Sequence, residues 1–356
     1  MRKKALVIGD IARELKVSIT TVSFILNGKA SEKRISSDLA ERVLKYVKKV
    51  NYAPNHLAKS LRTGKTNLIG LIVEDISNPF FSNVARLIEE NAYEKGFRII
   101  YCSSENDTDK TTELIKVFRE RQVDAYIITP TAGTEEDIKS LLLDKCNVVL
   151  FDRYFPNVNT SYVVVDNAGS TFNAITHFIE QGYKNIAFIT LSSEQTQMQD
   201  RLAGYKKAIE ENKLKAYIKK VSYHDNAENY IVDIESYLSE QTDLDAVFFA
   251  TNYLGISGLD AIKNLKLKIP SDIGVISFDD HDLFRLHSPS ITAVVQPIQE
   301  MSKQIINIIL DEVAANGVAT EEKEVVLPAP LVIRKSSIAK NIKRSNSKKN
   351  LLINQT

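Results

Sequence analysis

The reactive side chains of this 356-residue sequence do not fall into a recognised catalytic spacing. No GxGxxG follows a predicted strand, and neither a GxSxG nor an HExxH motif occurs. The Gly64-Lys65-Thr66 run lacks the upstream glycine of a phosphate-binding loop. Residues 279–282, Asp-Asp-His-Asp, are adjacent, and adjacent residues rarely converge on one metal ion. We therefore expect a binding protein and not an enzyme, with no metal site and no cofactor.

Polar side chains directly follow the apolar segments that have the length of strands. They are Asp75, Ser103, Thr129, Asp152, Asp166, Asn167, Thr190, Asn252 and Asp279. Open α/β sheets bind ligands outside the carboxyl ends of their strands, so this pattern predicts a ligand cleft. The alternative is that several of these residues only cap the helices that follow.

A second group of residues has the types and spacing of a DNA contact. Residues 8–15, 19–27 and 36–50 each have apolar residues at helical spacing, and Ser18 is placed to cap the second helix. Two short helices with a tight turn, followed by a packing helix, form a helix-turn-helix. The second helix offers side chains that fit a major groove: Ser18, Ile19, Thr20, Thr21 and Ser23. A small three-helix bundle without a DNA function is the alternative.

Charge distinguishes this basic head from the rest of the chain. Residues 1–65 contain 15 Lys/Arg and 5 Asp/Glu, a net charge of +10, although the whole chain carries only +1. Residues 66–333 carry a net charge of −16, and 334–356 hold seven basic side chains and no acidic one. The asymmetry predicts a nucleic-acid-binding unit joined to a unit of another kind. A solvated basic surface is the alternative.

The elements that would position the polar residues alternate between strands and helices. Apolar runs of strand length lie at 68–73, 98–102, 125–128, 148–151, 162–165, 186–189, 246–249 and 275–278. Amphipathic segments of helical length lie between most of them, including 80–95, 110–121, 168–181 and 202–212. Alternating strands and helices with continuously apolar strands predict parallel sheets covered on both faces. The number of strands is sufficient for two such sheets.

Length and composition indicate two or three folding units in a reducing compartment. Hydrophobic residues make up 44% and charged residues 26%, as in ordinary globular proteins. No run of 18 apolar residues occurs, and the apolar run near the N-terminus is too short for a signal peptide. The two cysteines lie in predicted strands, so a disulfide framework is not expected. We expect a cytoplasmic protein without a membrane span.

Two long motifs occur in the first quarter of the chain. They are VSITTVSFILNGK at 17–29 and NYAPNHLAKSLRTGKTNLIGLIVEDISNPFF at 51–81. With their spacing, they make the sequence similar to the lactose/purine repressor (LacI/GalR) family of transcriptional regulators. The resemblance continues to about residue 337, and several motifs in register make it highly specific.

The resemblance implies the fold class and the domains. The fold class is a small all-α helix-turn-helix headpiece plus an α/β periplasmic-binding-protein-like (type I) effector domain of two doubly wound parallel-sheet subdomains. The implied domains are a headpiece at 1–53, a hinge helix at 54–66, an effector-binding and dimerisation domain at 67–337 and a mobile basic tail at 338–356. The N-subdomain is expected at 67–160 and 295–322, and the C-subdomain at 161–294 and 323–337.

The resemblance also assigns residues to two sites. Ile19, Thr20 and Asn27 would lie in or beside the recognition helix. Leu61 matches a leucine that wedges into the minor groove, and Arg62 matches its basic neighbour. The implied effector contacts are Phe80, Phe81, Asp152, Arg201, Asn252 and Asp279, with Arg153 and either Gln195 or Gln197 as further candidates. For the two phenylalanines, packing in the core is the alternative.

These observations lead to the hypothesis of a metabolite-controlled transcriptional repressor. It would be a homodimer on a pseudo-palindromic double-stranded operator. Its effector would be a small sugar or sugar derivative, because carboxylates and a guanidinium match a dense pattern of hydroxyl groups. One alternative is a periplasmic-type sugar-binding receptor, which would need a secretion signal and no headpiece. Another is a regulator whose co-effector is a partner protein.

Overall fold

The computed structural model describes residues 6–52, 65–223, 226–315 and 321–338. The chain divides into two compact units, Met1–Asn67 and Leu68–Thr356. Leu61 and Arg62 of the expected hinge helix lie outside the described residues, as does the expected tail beyond Ile338.

The first unit contains three described helices around a small apolar core. They are α1 (Ile8–Glu14), α2 (Ile19–Leu26) and α3 (Ser37–Lys49). The core consists of Ile11, Ala12, Val22, Ile25 and Val43. Ser18 and Ser36 cap α2 and α3 with their side chains, so the predicted helices and their starts are confirmed.

The second unit alternates strands and helices throughout its described residues. The strands are β1 (Leu68–Val73), β2 (Arg98–Ser103), β3 (Ala125–Ile128), β4 (Asn147–Phe151), β5 (Ser161–Val165), β6 (Ile186–Leu191), β7 (Tyr217–Val221), β8 (Ala246–Phe249), β9 (Gly274–Phe278), β10 (Thr292–Val294), β11 (Glu324–Leu327) and β12 (Leu331–Val332). The helices are α4 (Pro79–Glu94), α5 (Thr108–Glu120), α6 (Glu135–Leu143), α7 (Asn167–Glu180), α8 (Thr196–Glu211), α9 (Ala227–Glu240), α10 (Asn252–Asn264), α11 (Asp282–Leu286) and α12 (Ile298–Ala315). Within the described ranges, no helix has both the length and the apolar character needed to cross a membrane.

The strands form two six-stranded sheets. The first has the order β11-β5-β4-β3-β1-β2 and is parallel throughout. The second has the order β12-β10-β9-β8-β6-β7 and is parallel except for β12, which runs antiparallel to β10. In each sheet the strand order reverses beside the first strand, β1 or β6, which is where doubly wound sheets form ligand crevices. The expected combination of an all-α unit with two doubly wound sheets is confirmed.

All eight predicted strands are present, and four further strands were not predicted. These are β7, β10, β11 and β12. Three of them, β7, β11 and β12, lie at the edges of their sheets. Burial alternates along β11 and β7 contains two lysines, so neither forms the continuous apolar run on which the prediction depended. The fourth, β10, has only three residues.

The expected boundary between the two subdomains is wrong at two places. Strand β5 was assigned to the C-subdomain, which was expected to begin at residue 161, but it pairs with β4 in the first sheet. Strand β11 was expected in the same subdomain at 323–337, but it pairs with β5. The pairing of the strands, which the sequence does not specify, decides both cases. The chain crosses between the sheets three times, after Val165, between β10 and β11, and between β11 and β12.

Candidate functional site

The exposed face of α2 presents fewer free side chains than the sequence predicted. The Ser18 hydroxyl accepts a hydrogen bond from the Thr21 amide at 3.0 Å and lies 2.8 Å from the Thr21 hydroxyl. Asn27 donates from Nδ2 to the Ser23 carbonyl at 2.7 Å. Ile19 is 55% exposed and Thr20 is also exposed. Ile19 and Thr20 are therefore the side chains of α2 that are best placed to reach a base edge.

Carboxylates stand at the carboxyl ends of both sheets. Asp152 follows β4 and Asp279 follows β9, each with a backbone φ in the left-handed region, +69° and +64° respectively. Non-glycine residues adopt this conformation at an energetic cost, although aspartate is enriched in it several-fold. Both side chains are buried, which places two carboxylates where the sheet-end pattern predicted ligand contacts.

Arg201 of α8 is held rigidly beside Asp279. Its Nε donates to Asn167 Oδ1 at 2.8 Å, and its Nη1 donates to the Ala250 carbonyl at 2.7 Å. Its guanidinium lies 3.6 Å from the ring centroid of Phe278 and 3.7 Å from Asp279 Oδ2. An arginine fixed by this many partners is pre-organised to recognise a ligand hydroxyl or carboxylate.

Arg153 is turned into the protein and joins the loops of the first sheet. Its Nη1 donates to Glu74 Oε2 at 2.6 Å, its Nε to the Pro130 carbonyl at 2.6 Å, and its Nη2 to Asn106 Oδ1 at 2.6 Å. A longer contact of 3.4 Å reaches Gln195 Oε1 from the other half of the unit. Arg153 is expected to contact the effector, but in the structure its guanidinium is already bonded to protein groups.

The remaining predicted residues divide between the cleft and the core. Asn252, at the start of α10, donates from Nδ2 to Asn78 Oδ1 at 3.1 Å and so links the two halves. Phe81 is buried against Phe151 at a centroid distance of 6.2 Å, which is a core position. Phe80 is only partly buried and lines the space beside Asp152.

Two glutamines at the cleft have a buried oxygen without a partner among the described residues. Gln197 Oε1 and Gln296 Oε1 are the atoms concerned. Gln296 donates from Nε2 to Asp279 Oδ1 at 2.7 Å, and Gln197 donates to Gln195. Because a buried oxygen without a hydrogen bond is costly, Gln197, which lines the space at Arg201, is suited to accept from a ligand hydroxyl.

Burial dominates the electrostatics of the two aspartates. It raises the pKa of Asp152 to about 6, and the nearby carboxylates Glu74 and Asp279 act in the same direction, while Arg153 and Arg201 oppose it. Burial also raises the pKa of Asp279, against the effect of Arg201 and of the hydrogen bond from Gln296. A ligand that donates hydrogen bonds to either carboxylate would stabilise its charged form.

Two spaces of very different size lie at the cleft. The space among Asp152, Arg201 and Asp279 has a volume of about 30 Å³. An adjoining chamber of about 540 Å³ shares the lining residues Glu74, Asn78 and Tyr253 with it. The first exceeds the roughly 10–15 Å³ that one water molecule needs. It can hold one hydroxyl group but not a sugar ring.

The sequence did not reveal several residues that build this site. Glu74 and Asn106 hold Arg153, and Gln296 holds Asp279. Glu74 follows β1 directly, so the strand-end pattern could have identified it. Asn106 and Gln296 lie farther from their strands, and only the folded loops bring them to the cluster.

The Asp279–Asp282 run has its side chains directed to different partners. Asp280 accepts from both terminal nitrogens of Arg334, and His281 Nδ1 accepts from the Leu283 amide. Asp282 pairs with Arg285 at 3.2 Å. The four groups therefore serve local structure and the cleft separately.

Comparison with known proteins assigns both units to families. Residues 7–55 match the family model described as bacterial regulatory proteins, lacI family, and residues 175–337 match the periplasmic binding protein-like domain. The HTH-type transcriptional regulator RegA of Clostridium saccharobutylicum is 30% identical over 339 residues, which cover 93% of this chain and 99% of that protein. The ribose operon repressor of Halalkalibacterium halodurans is 28% identical over 330 residues, covering 93% and 96%.

A solved structure has the same fold over nearly the whole chain. The lac repressor dimer bound to operator and the anti-inducer ONPF matches with a TM-score of 0.84 and 19% identity, over 94% of this chain and 100% of that one. The resemblance inferred from the two sequence motifs is thereby confirmed. The chain belongs to the lacI family of bacterial regulatory proteins.

Proposed function

We propose that this protein is a sequence-specific DNA-binding transcriptional repressor. The observation that carries the proposal is the exposed α2 face, with Ile19 and Thr20 projecting from a capped helix of a unit that has a net charge of +10. Small side chains on such a helix can read base edges, while the surrounding lysines and arginines neutralise phosphates. The membership of the lacI family gives independent support.

The second unit is the effector-binding unit in this proposal. Asp152, Arg201, Asn252 and Asp279 would bind a sugar or sugar derivative at the ends of the two sheets. A relative named as a ribose operon repressor supports a sugar as the effector. The protein has one state that binds DNA and one that does not. A ligand changes operator affinity only if it binds these two states with different affinities.

The remaining features follow from a regulator of this kind. We expect a homodimer on a pseudo-palindromic operator, with Leu61 in the minor groove and Arg62 beside it. The protein would act in the cytoplasm, where operators are, and would bind its ligand without chemical conversion. The periplasmic-receptor alternative is not favoured, since such a receptor would need no helix-turn-helix unit.

Selection of binding sites from random DNA tests the proposed function. The full chain is used for selection, and the recovered sites are then titrated with and without candidate metabolites. Recovery of one symmetric site, bound far more tightly than random DNA, is the expected result. Equal affinity for all sequences would contradict the proposal.

A further inference from the structure

A turn at residues 29–34 connects α2 to the segment that leads into α3. It contains three basic side chains and one acidic one, Lys29, Lys33, Arg34 and Glu32, and its net charge is therefore +2. All four residues are exposed. Within the described ranges, the side chains of Lys29 and Arg34 have no hydrogen-bond or ion-pair partner. The turn thus presents positive charge that the protein itself does not use.

Backbone hydrogen bonds give this turn a fixed conformation beside α2. The Lys29 amide donates to the Phe24 carbonyl at 2.9 Å, and the Lys33 amide donates to the Lys29 carbonyl at 3.0 Å. The Ile35 amide donates to the Ala30 carbonyl at 2.9 Å, which closes the turn as a helix end is closed. Ala30 and Ile35 pack against the apolar core of the first unit. The basic side chains therefore project from an anchored element.

The aromatic ring of Phe24 holds one of these side chains beside the exposed face of α2. Val22 and Ile25 of this helix are buried in the core. Phe24 and Thr20 are four residues apart, so they share a face of the helix, and Phe24 is only partly buried. Lys33 Nζ lies 5.5 Å from the centroid of the Phe24 ring, within the range of a cation–π attraction. The ammonium group is thereby placed next to the helix face that we propose reads base edges.

Glu32 is the acidic group that competes for Lys33. Its Oε1 lies 3.1 Å from Lys33 Nζ, and the two side chains are 59% and 43% exposed. An exposed pair of this kind is weak and is screened by salt. Lys33 therefore stays available for a phosphate group.

We propose that the turn at residues 29–34 is a second DNA contact of the first unit. Lys29, Lys33 and Arg34 bind phosphate groups at the edge of the groove that α2 enters, because a helix in the major groove is flanked by both phosphate backbones. Phe24 is a positioning residue that directs Lys33 to its phosphate. This inference rests on the proposed function, since it takes the first unit as the DNA-binding unit.

The salt dependence of DNA binding tests the three phosphate contacts. Lys29→Gln, Lys33→Gln and Arg34→Gln are made in the full chain, singly and together, and titrated by fluorescence anisotropy at several salt concentrations. Each single variant should reduce the slope of log K against log salt concentration by about 0.9, and the triple variant by about 2.7. The affinity for the selected operator and that for random DNA should fall by the same factor, because phosphate contacts carry no sequence information.

Lys45→Gln is the matched control for the loss of one positive charge. Lys45 is exposed on α3 and lies two residues after the buried Val43, so it points about 200° away from the core around the helix. Its slope should equal that of the wild type. The proposal is overturned if the triple variant keeps the wild-type slope or if Lys45→Gln lowers the slope as much as the turn variants do. A larger loss on the operator than on random DNA would also overturn it, since the turn would then contact bases.

Two variants of Phe24 test its positioning role. Phe24→Leu keeps an apolar side chain but removes the ring, and it should weaken binding to both kinds of DNA at least threefold and lower the salt slope. Phe24→Tyr keeps the ring face and should retain the wild-type values. In combination with Lys33→Gln, Phe24→Leu should cause no further loss. Wild-type binding by Phe24→Leu, a loss confined to the operator, or additive losses in the double variant would contradict this role. Thermal unfolding of each variant confirms that the first unit is folded.

The reverse charge change gives a variant that should gain affinity. Glu32→Gln removes the carboxylate beside Lys33, so binding to both kinds of DNA should strengthen, by about twofold or more at low salt. Unchanged or weaker binding contradicts the placement of phosphate at this turn. Absence of salt-dependent operator binding in the wild type would overturn the proposed function itself. Steep salt dependence in the wild type that the turn variants leave unchanged overturns only the second contact.

Discussion

At the scale of single residues, Arg201, which we propose as a ligand contact, is fixed to the framework of the cleft. Lysine retains the positive charge but lacks the planar fork that reaches Asn167 and the Ala250 carbonyl together. Arg201→Lys should weaken effector binding by about 10- to 100-fold, the equivalent of one charged hydrogen bond. Operator affinity without effector should stay within about threefold. A variant that binds effector normally in calorimetry would contradict the role of Arg201.

Asp152 should make the stability of the second unit depend on pH. Its pKa rises from 3.8 to about 6 on folding, so the folded state holds the proton more tightly. Stability therefore decreases as pH rises from about 4 to about 6, and ionised Asp152 costs up to about 3 kcal/mol above that range. Asp152→Asn removes this cost, so its urea midpoint should exceed that of the wild type at pH 7.5 and match it at pH 4. Asp282 is exposed, so Asp282→Asn is the control. The prediction would be contradicted if Asp152→Asn were less stable than the wild type at both pH values.

At the scale of elements, α2 combines a capping residue, Ser18, with the residues that we propose contact the bases, Ile19 and Thr20. The Ser18 hydroxyl caps the helix, so Ser18→Ala should destabilise the first unit by about 1 kcal/mol in thermal unfolding. Ile19→Ala removes an exposed side chain and should leave stability unchanged, but it should weaken specific binding by about 1–3 kcal/mol. Affinity for random DNA should be the same for Ile19→Ala and for the wild type. If Ile19→Ala binds the selected operator as tightly as the wild type, α2 does not read the site through this residue.

The elements also explain which parts of the structure the sequence could predict. Buried central strands such as β1 and β8 are continuously apolar, so their bounds agree with the prediction to the residue. The edge strand β7, with the sequence YIKKV, contains two consecutive lysines, which interrupt the apolar run, so it lacks that signal. The assignment of β5 to the first sheet depends on pairing with β4, which is a tertiary contact.

The site was predictable to the same extent. Residues that follow strands directly, such as Asp152 and Asp279, lie at the cleft as their positions indicated. The burial of Arg153 depends on Glu74 and Asn106, which come from two other loops. The chamber of about 540 Å³ likewise combines segments that are distant in the sequence, which no local pattern indicates.

At the scale of the whole molecule, two parts of the chain carry net charges of opposite sign. Residues 1–65 carry a net charge of +10, and 66–333 carry −16. The acidic part repels phosphate, so we expect the basic head to make DNA contacts, and DNA binding and ligand binding should respond differently to salt. The two activities can therefore be separated by ionic strength in one preparation of the full chain.

Salt dependence measures how many phosphates the basic head neutralises. Each neutralised phosphate releases condensed counterions, so log K falls linearly with log salt concentration. A protein with 6–10 phosphate contacts loses roughly 10³–10⁵ in affinity between 50 and 200 mM salt, and we expect operator binding in this range by fluorescence anisotropy. Binding of an uncharged sugar in the same buffers should change little, because it displaces no counterions. A flat salt response of operator binding would show that the head does not bind the phosphate backbone, and the proposed function would then be wrong.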